Sequence, residues 1–161
     1  VDADRLFSDA CGFDVAMVND ADAAGLAEVR WGAARDVGGV VLVLTFGTGI
    51  GSGLFVDGML VPSTELGHLE LDGRDAESHA AASAREREGI SWDEWAPRVQ
   101  RYLRHLEMLF SPDLIVIGGG ASKAASQWLP MISIDTPLVA AAMANNAGIV
   151  GAALVARHAH L

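Results

Sequence analysis

The sequence predicts an α/β fold in which a mixed sheet is flanked by helices. Apolar, β-branched runs that suit buried strands alternate with helical segments along the chain. One strand pair is joined by Asp57-Gly58, a strong signal for an antiparallel hairpin, and another by a glycine-rich turn at 47–51, whereas the remaining strands are separated by helices. The chain has 161 residues, of which 51% are hydrophobic, so it can form one compact unit with its own core.

The first predicted elements are a short apolar strand over 14–19 and an alanine-rich helix over 20–34. The polar residues Asn19, Asp20 and Asp22 mark the start of this helix, because such side chains accept hydrogen bonds from free helix N–H groups.

Next comes a charge-free, β-branched run over 39–46, which predicts a buried strand. The segments 52–56 and 59–61 on either side of Asp57-Gly58 form the arms of the hairpin. Beyond them, helical composition predicts helices over 75–88 and 91–110, and we expect Pro97 to bend or break the second of these.

The remaining elements follow the same alternation. They are a buried strand within 112–120, a helix over 122–132, a short strand over 135–141 and a closing helix over 146–160 rich in small residues. The predicted order is therefore βαββ(β)ααβαβα.

Charge and cysteine content exclude several classes of protein. The formal net charge of -10 argues against a general nucleic-acid binder, which would carry a basic surface. Cys11 is the only cysteine, so we expect no internal disulfide, no cysteine metal cluster and a cytoplasmic location. The apolar stretches are shorter than the ~20 residues of a membrane span. Residues 1–13 resemble the end of a preceding helix, so we expect more chain before Val1.

A glycine cluster, Gly47-Thr48-Gly49-Ile50-Gly51, joins two predicted strands. Phosphate-binding glycine loops usually lead into a helix, and no frame here gives the Gly-x-Gly-x-x-Gly dinucleotide pattern. A turn between strands can still present several backbone N–H groups to an oxyanion. The alternative is a tight turn that needs glycine only for a positive φ. This stretch alone leaves both interpretations open.

Two polar segments contain candidates for binding and catalysis. Asn19 and Asp20 suit a helix N-terminus, but a carboxylate beyond a strand could also take a proton from a hydroxyl while Asn19 orients the substrate. In Glu65-Leu66-Gly67-His68, the Glu and His are either surface residues or partners for adjacent sugar hydroxyls, with Gly67 allowing close approach of the ligand. Glu70 either joins them or faces solvent.

Two further features suit a phosphate donor. The glycines Gly118, Gly119 and Gly120 could pass under a flat nucleotide or simply end a strand, and Lys123, the only lysine, lies just beyond them. Arg98, Arg101, Arg104 and His105 share one face of a predicted helix, which is either solvated or a local basic patch for a polyanionic ligand.

Five segments together resemble the C-terminal lobe of the sugar kinases of the ROK family. They are NDADAAGLAE, LTFGTGIGSGLF, ELGHLEL, PDLIVIGGG and NNAGIVGAALVA, in the family's order and over nearly the whole chain. Within the family, the stretch VPSTELGHLELDGRDAE is most similar to the polyphosphate-dependent glucokinases. The resemblance implies that residues 1–161 form one lobe of an actin-like (ribonuclease H-like) ATPase fold.

The resemblance also implies a reaction, namely phosphoryl transfer from polyphosphate or ATP to the 6-hydroxyl of glucose with Mg²⁺ accompanying the donor. Asp20 would be the general base, and Asn19, Glu65 and His68 would hold the sugar. The donor phosphates would contact Gly47, Thr48 and Gly49, and the nucleotide or polyphosphate channel would border Gly118, Gly119 and Gly120. A homodimer is implied as well.

The chain departs from the family pattern at two points. Many ROK kinases follow the Glu-x-Gly-His segment with a cysteine-rich zinc motif that uses the histidine as a ligand. No cysteine follows here, so we expect no zinc. The family's N-terminal lobe, with its Asp-x-Gly-Gly-Thr phosphate loop, is not present in these residues. The alternative function is therefore a non-catalytic sugar-binding lobe, or the remnant of a ROK-type sugar-sensing regulator.

Overall fold

A five-stranded mixed sheet forms the centre of the fold. The structure is a computed structural model that describes residues 2–158. The strands are β1 (Val40–Phe46), β2 (Ile50–Val56), β3 (Met59–Val61), β4 (Glu70–Leu71), β5 (Arg74–Asp75), β6 (Leu114–Gly118) and β7 (Leu138–Ala140). The sheet has the order β3-β2-β1-β6-β7, and β4 pairs with β5 apart from it. β6 runs parallel to β1 and β7, whereas β2 runs antiparallel to β1 and β3.

Seven α-helices and several single 3₁₀ turns belong to the described residues. The helices are α1 (Ala3–Cys11), α2 (Asp20–Trp31), α3 (Ala76–Ala80), α4 (Ala82–Glu88), α5 (Trp92–Phe110), α6 (Ala125–Trp128) and α7 (Ala147–His158). The 3₁₀ turns are Leu66–His68, Gly120–Ala124, Leu129–Met131 and Ala144–Asn146. This architecture confirms the predicted α/β class with a mixed sheet between helices. None of the helices described combines the length and the apolar character that a membrane crossing needs.

The sheet separates two apolar clusters, as the alternation of side chains along a strand requires. Leu42, Leu44 and Phe46 of β1 face the larger cluster, which α5 completes. Val41 and Val43 face the smaller cluster, which α2 covers. α7 then packs against α2.

Phe46, the last residue of β1, lies at the centre of an aromatic group. Its ring contacts Trp95, Tyr102 and Trp128 edge-on, with centroid distances of 5.9, 6.2 and 6.1 Å. All four rings are fully buried. Edge-to-face pairs add to the stabilisation that burial provides. The backbone that leads into the glycine cluster is therefore held rigidly at its first end.

The prediction of a strand at 14–19 is wrong. This segment is extended, but it joins no strand of the described sheet. The backbone N–H of Val15 donates to Ser8 Oγ and that of Met17 to Asp4 Oδ1, so α1 side chains take the place of a partner strand.

The helix predicted at 75–88 is two helices. Ala81 separates α3 from α4 with an extended backbone (ψ 157°), and its carbonyl accepts a hydrogen bond from Trp95 Nε1. The helix predicted at 91–110 is confirmed as α5, which is not broken at Pro97.

The other predicted elements are confirmed with changed boundaries. The 57–58 turn has positive φ at Asp57 (50°) and Gly58 (78°), as expected for a two-residue hairpin. The helix at 122–132 consists of short α and 3₁₀ pieces. The closing helix reaches His158, and its predicted residues 159 and 160 lie outside the described part of the chain.

Glu28 fixes the route of the chain toward α7. Its side chain is fully buried, with Oε2 accepting from Ala33 N (2.7 Å) and Ala142 N (3.1 Å) and Oε1 accepting from Met143 N (2.8 Å). A buried carboxylate needs such partners, and three backbone donors supply them. α2 and the segment before α7 are thereby joined.

We predict that Glu28→Gln lowers the free energy of unfolding by about 1–3 kcal/mol, because an amide NH₂ would replace one accepting oxygen and leave a buried N–H unbonded. Urea unfolding measures the effect. The control is Glu86→Gln on exposed α4, expected to change stability by less than about 0.5 kcal/mol. Equal effects of the two substitutions would show that Glu28 does not organise this region.

Candidate active site

A cleft of about 500 Å³ lies beside the ends of β1 and β6. These strands are parallel, with Thr45 opposite Gly118, so the segments that follow them leave the sheet side by side. The cleft brings most of the predicted site residues together: Asn19, Asp20, Gly47, Thr48, Gly49, Glu65, Gly119 and Gly120 all line it. His68 and Gly118 are not among the lining residues.

Asn19 both caps α2 and contacts Glu65. Its Oδ1 accepts from Ala21 N (2.8 Å) and Asp22 N (3.3 Å), while its Nδ2 donates to Glu65 Oε1 at 3.5 Å. The capping interpretation is therefore confirmed. The bond to Glu65 shows that Asn19 also faces the second candidate segment.

Asp20 is the first residue of α2, and it is exposed within the cleft. An acid in the first helical turn is favoured by the helix dipole. Its position at the mouth of the cleft leaves its carboxylate accessible to a ligand.

Asp22 ties the Glu65 segment to α2, a role that the sequence pattern did not reveal. It is buried, and its Oδ2 accepts from Ser63 N at 3.1 Å. Burial is the main cause that raises the pKa of Asp22, with Glu65 and Asp20 as further negative charges. Ser52 Oγ accepts from Leu66 N at 2.9 Å, so the backbone around Glu65 is held from two sides.

Gly67 is required for packing, a role that the expectation of close ligand approach did not include. It is buried, and a Cβ at this position would overlap the carbonyl oxygen of Ile50 in β2. The close approach presses the Glu65–His68 segment against the start of β2.

His68 is exposed and bonded to Asp75. Its Nδ1 lies 2.8 Å from Asp75 Oδ2 and 4.0 Å from Glu77 Oε1. The hydrogen bond to Asp75 is the main cause that raises the pKa of His68, and the same bond lowers the pKa of Asp75. Neither Asp75 nor Glu77 stood out in the sequence, because acids are common at helix starts.

Glu77 links α3 to the glycine cluster. Its Oε2 accepts from Ile50 N at 3.0 Å, and a Cβ at Gly49 would overlap this oxygen. Glu77 also lines the cleft. Because Gly49 has no side chain, the carboxylate of Glu77 can lie against the glycine cluster.

The glycine cluster is not a tight turn that depends on positive φ, because neither Gly47 nor Gly49 has one. Gly47 N donates to Gly49 O at 2.9 Å, and Gly47 O accepts from Ser83 N at 3.0 Å. Ser83 Oγ also donates to Thr48 O. The break between α3 and α4 places Ser83 for both bonds. Among the described contacts of the cluster, the Thr48 and Gly49 N–H groups remain for an anion.

Gly119 is the position where two chain segments come closest. Its φ is 75°, and a Cβ would lie 2.6 Å from both N and O of Phe46. Only glycine satisfies both conditions. Gly118 is buried at the end of β6, so it serves the sheet rather than the cleft surface.

The arginines of the predicted basic face of α5 do not line the cleft. Arg98 pairs with Glu88 (2.7 Å) and Arg101 with Asp72 (2.9 Å), and Arg104 donates to the carbonyl of Ser133. These contacts favour the interpretation of a solvated face. Lys123 and Glu70 are exposed and do not line the cleft.

A larger cavity of about 840 Å³ lies between α2, the 57–58 turn and α7. Leu26, Val29, Val37 and Leu154 contribute to its mostly apolar lining. It contains none of the predicted site residues, so we assign the chemistry to the smaller cleft.

The fold is of the actin-like ATPase class, and the chain belongs to the ROK family. The ROK family model matches residues 1–86. The chain is 50% identical to a polyphosphate glucokinase of Mycobacterium leprae over 141 residues, which covers 88% of this chain and 44% of the relative. It is 48% identical to that of Mycobacterium tuberculosis (strain CDC 1551 / Oshkosh) over 151 residues, 94% of this chain and 57% of the relative.

A solved structure shows the same likeness. The inorganic polyphosphate/ATP-glucomannokinase of Arthrobacter sp. strain KM is 55% identical with a TM-score of 0.93, over 98% of this chain and 63% of that one. The expected actin-like fold is thereby confirmed. The chain spans about half the length of the curated relatives that it matches.

We predict that Gly119→Ala lowers the free energy of unfolding by more than about 2 kcal/mol, because it combines a left-handed backbone with overlap on Phe46. Gly73→Ala is the matched control: its φ is 77°, but a Cβ there meets nothing within 4 Å. The control should cost only about 1 kcal/mol. Thermal and urea unfolding measure both, and equal losses would show that the contact with Phe46 is unimportant.

Proposed function

We propose that this chain is the C-terminal lobe of an enzyme that transfers a phosphoryl group from polyphosphate or ATP to the 6-hydroxyl of glucose. The observation that carries the proposal is the shared cleft, in which Asp20, Asn19 and Glu65 lie with both glycine segments. Similarity to polyphosphate glucokinases supports the choice of substrates. The N-terminal lobe of the family would complete the enclosure of the donor, and we propose a cytoplasmic location.

Asp20 acts as the general base in this proposal. Phosphoryl transfer depends mainly on positioning and on charge stabilisation, so the protein needs a carboxylate at the acceptor hydroxyl and an N–H clasp at the donor. Asn19, Glu65 and His68 offer donors and acceptors to the other sugar hydroxyls. The N–H groups of Thr48 and Gly49 would meet the donor phosphates.

A divalent cation fits the charge of the cleft. Its lining, within the described residues, includes the carboxylates of Asp20, Glu65 and Glu77 and no lysine or arginine. These three carboxylates would together attract a hydrated Mg²⁺ that enters with the donor phosphates, while Asp20 remains the general base. The ion would supply positive charge to the donor phosphates.

A homodimer is part of the proposal, although the predicted surface does not support it. The small-residue face of α7 packs inside the chain, where a Cβ at Gly151 would overlap the carbonyl oxygen of Ala23 in α2. Pairing through α7 would therefore use its exposed face, which includes Ile149 at 74% exposure.

We predict that Asp20→Asn in the intact enzyme lowers kcat by about 10²- to 10⁴-fold, the usual contribution of a general base, while glucose affinity changes by less than about threefold. Steady-state kinetics and calorimetry measure the two effects. Asp93→Asn is the control, since it removes an exposed acid from the first turn of another helix, α5. A loss below about fivefold in kcat would refute the base assignment. Glucose binding without any turnover in the unmodified enzyme would favour a non-catalytic sugar-binding lobe.

We predict that Gly47→Ala leaves the free energy of unfolding within about 0.5 kcal/mol of the original, because a Cβ there meets nothing within 4 Å. The added methyl group would instead occupy space needed by the donor, so the KM for polyphosphate or ATP should rise while the KM for glucose does not. Unchanged donor kinetics in a normally folded variant would place the donor elsewhere.

A further inference from the structure

Asp75 uses both carboxylate oxygens within the chain. Oδ1 accepts from Ser78 N at 3.0 Å and caps α3, while Oδ2 lies 2.8 Å from His68 Nδ1. The His68 side chain is otherwise 59% exposed. Besides Asp75, the charged groups that act on it are Glu77 and Glu65.

The bond from His68 has a defined direction, because an ionised carboxylate can only accept. Nδ1 must therefore carry a proton in the neutral ring as well as in the charged one. The lone pair of the neutral ring is then at Nε2, the nitrogen on the far side from Asp75.

We propose that Asp75 is a positioning residue for sugar binding: above the titration range of His68, it keeps the single proton of the neutral ring on Nδ1, so that Nε2 accepts a hydrogen bond from a sugar hydroxyl. This inference rests on the proposed function, since it takes His68 to contact the sugar. Two acceptors for sugar hydroxyls then lie in the same segment, namely Nε2 of the neutral His68 and the carboxylate of Glu65. Asp75 itself acts only through His68.

The cap on α3 explains why an amide cannot replace this carboxylate. An asparagine at 75 would have one accepting oxygen, while both Ser78 N–H and His68 Nδ1–H require an acceptor. With its oxygen kept by Ser78, the amide NH₂ would face Nδ1 and favour the opposite tautomer, with the proton on Nε2. Asp75→Asn therefore changes the tautomer while it preserves the cap and the shape of the side chain.

A bridging cation is the competing explanation for the cluster. His68, Asp75 and Glu77 each bring one ligand atom within 4.8 Å of the others. A metal ion on Nδ1 would exclude the proton from that nitrogen. The two explanations therefore predict opposite states of Nδ1.

The first experiment determines the tautomer of His68 in the intact protein. Long-range ¹H–¹⁵N correlation spectra of ¹⁵N-histidine-labelled protein are recorded above the titration range, with His68→Gln to assign the signal. We expect Nδ1–H in the original protein and Nε2–H in Asp75→Asn. Asp72→Asn removes a nearby acid that pairs with Arg101 instead, and it should leave the spectrum of His68 unchanged.

The second experiment measures sugar kinetics in the same variants. Above the titration range of His68, Asp75→Asn should raise the KM for glucose about tenfold with kcat changed less than about threefold, because the hydroxyl that donates to Nε2 would face an N–H donor in ground state and transition state alike. His68→Gln should raise it similarly, and adding Asp75→Asn to His68→Gln should have no further effect, since the two residues act as one unit. Asp72→Asn should match the original enzyme.

The experiments distinguish a failure of the role proposed for Asp75 from a failure of the proposed function. An Nε2–H tautomer in the original protein, an unchanged tautomer in Asp75→Asn, or a stoichiometric zinc ion lost with His68→Gln would each overturn the role of Asp75 whatever the activity. Additive effects on KM in the double variant would do the same. If the tautomer changes as expected but the original enzyme does not phosphorylate glucose, the proposed function fails while the control of the His68 proton by Asp75 stands.

Discussion

The site depends on the parallel pairing of β1 with β6 and on the contact that closes it, Gly119 against the backbone of Phe46. Parallel strands end at the same edge of a sheet, which is where open α/β sheets place their ligands. Both glycine segments begin at that edge. A side chain at Gly119 would push the two segments apart, so the spacing of the cleft floor depends on a missing Cβ.

Helices on the larger side of the sheet support the same edge. Phe46 is locked among three aromatic rings, and the break after α3 lets Ser83 bond to the backbone of Gly47 and Thr48. Across the break, Glu77 holds the N–H of Ile50 while Asp75 holds His68. The first residues of one short helix thus join the glycine cluster to the sugar-binding candidates. Preorganisation of this kind is what phosphoryl transfer requires from a protein.

Local patterns predicted the α/β class, the hairpin at Asp57-Gly58 and the long helix α5, because hydrophobic periodicity and turn chemistry act over short distances. They failed at 14–19, where side chains of α1 replace a partner strand, and at Ala81, where tertiary bonds from Trp95 and the glycine cluster override helix propensity. The resemblance to a family predicted Asn19, Asp20, Glu65, His68 and the glycines as one site, and of these His68 and Gly118 do not line the cleft. Asp22, Asp75 and Glu77 were not predicted, because a carboxylate at a helix start has an ordinary local explanation and its distant partner is visible only in the fold.

The central claim is that a single cleft holds both reactants, with Asp20 at the acceptor hydroxyl of glucose and the two glycine segments at the phosphate donor. The most direct test is a structure of the intact enzyme with glucose and an unreactive analogue of the phosphate donor. The account predicts the 6-hydroxyl oxygen within about 2.6–3.2 Å of the Asp20 carboxylate, and donor phosphate oxygens within the same range of the Thr48 or Gly49 N–H groups. Glucose bound outside the cleft, or a different hydroxyl placed against Asp20, would contradict it.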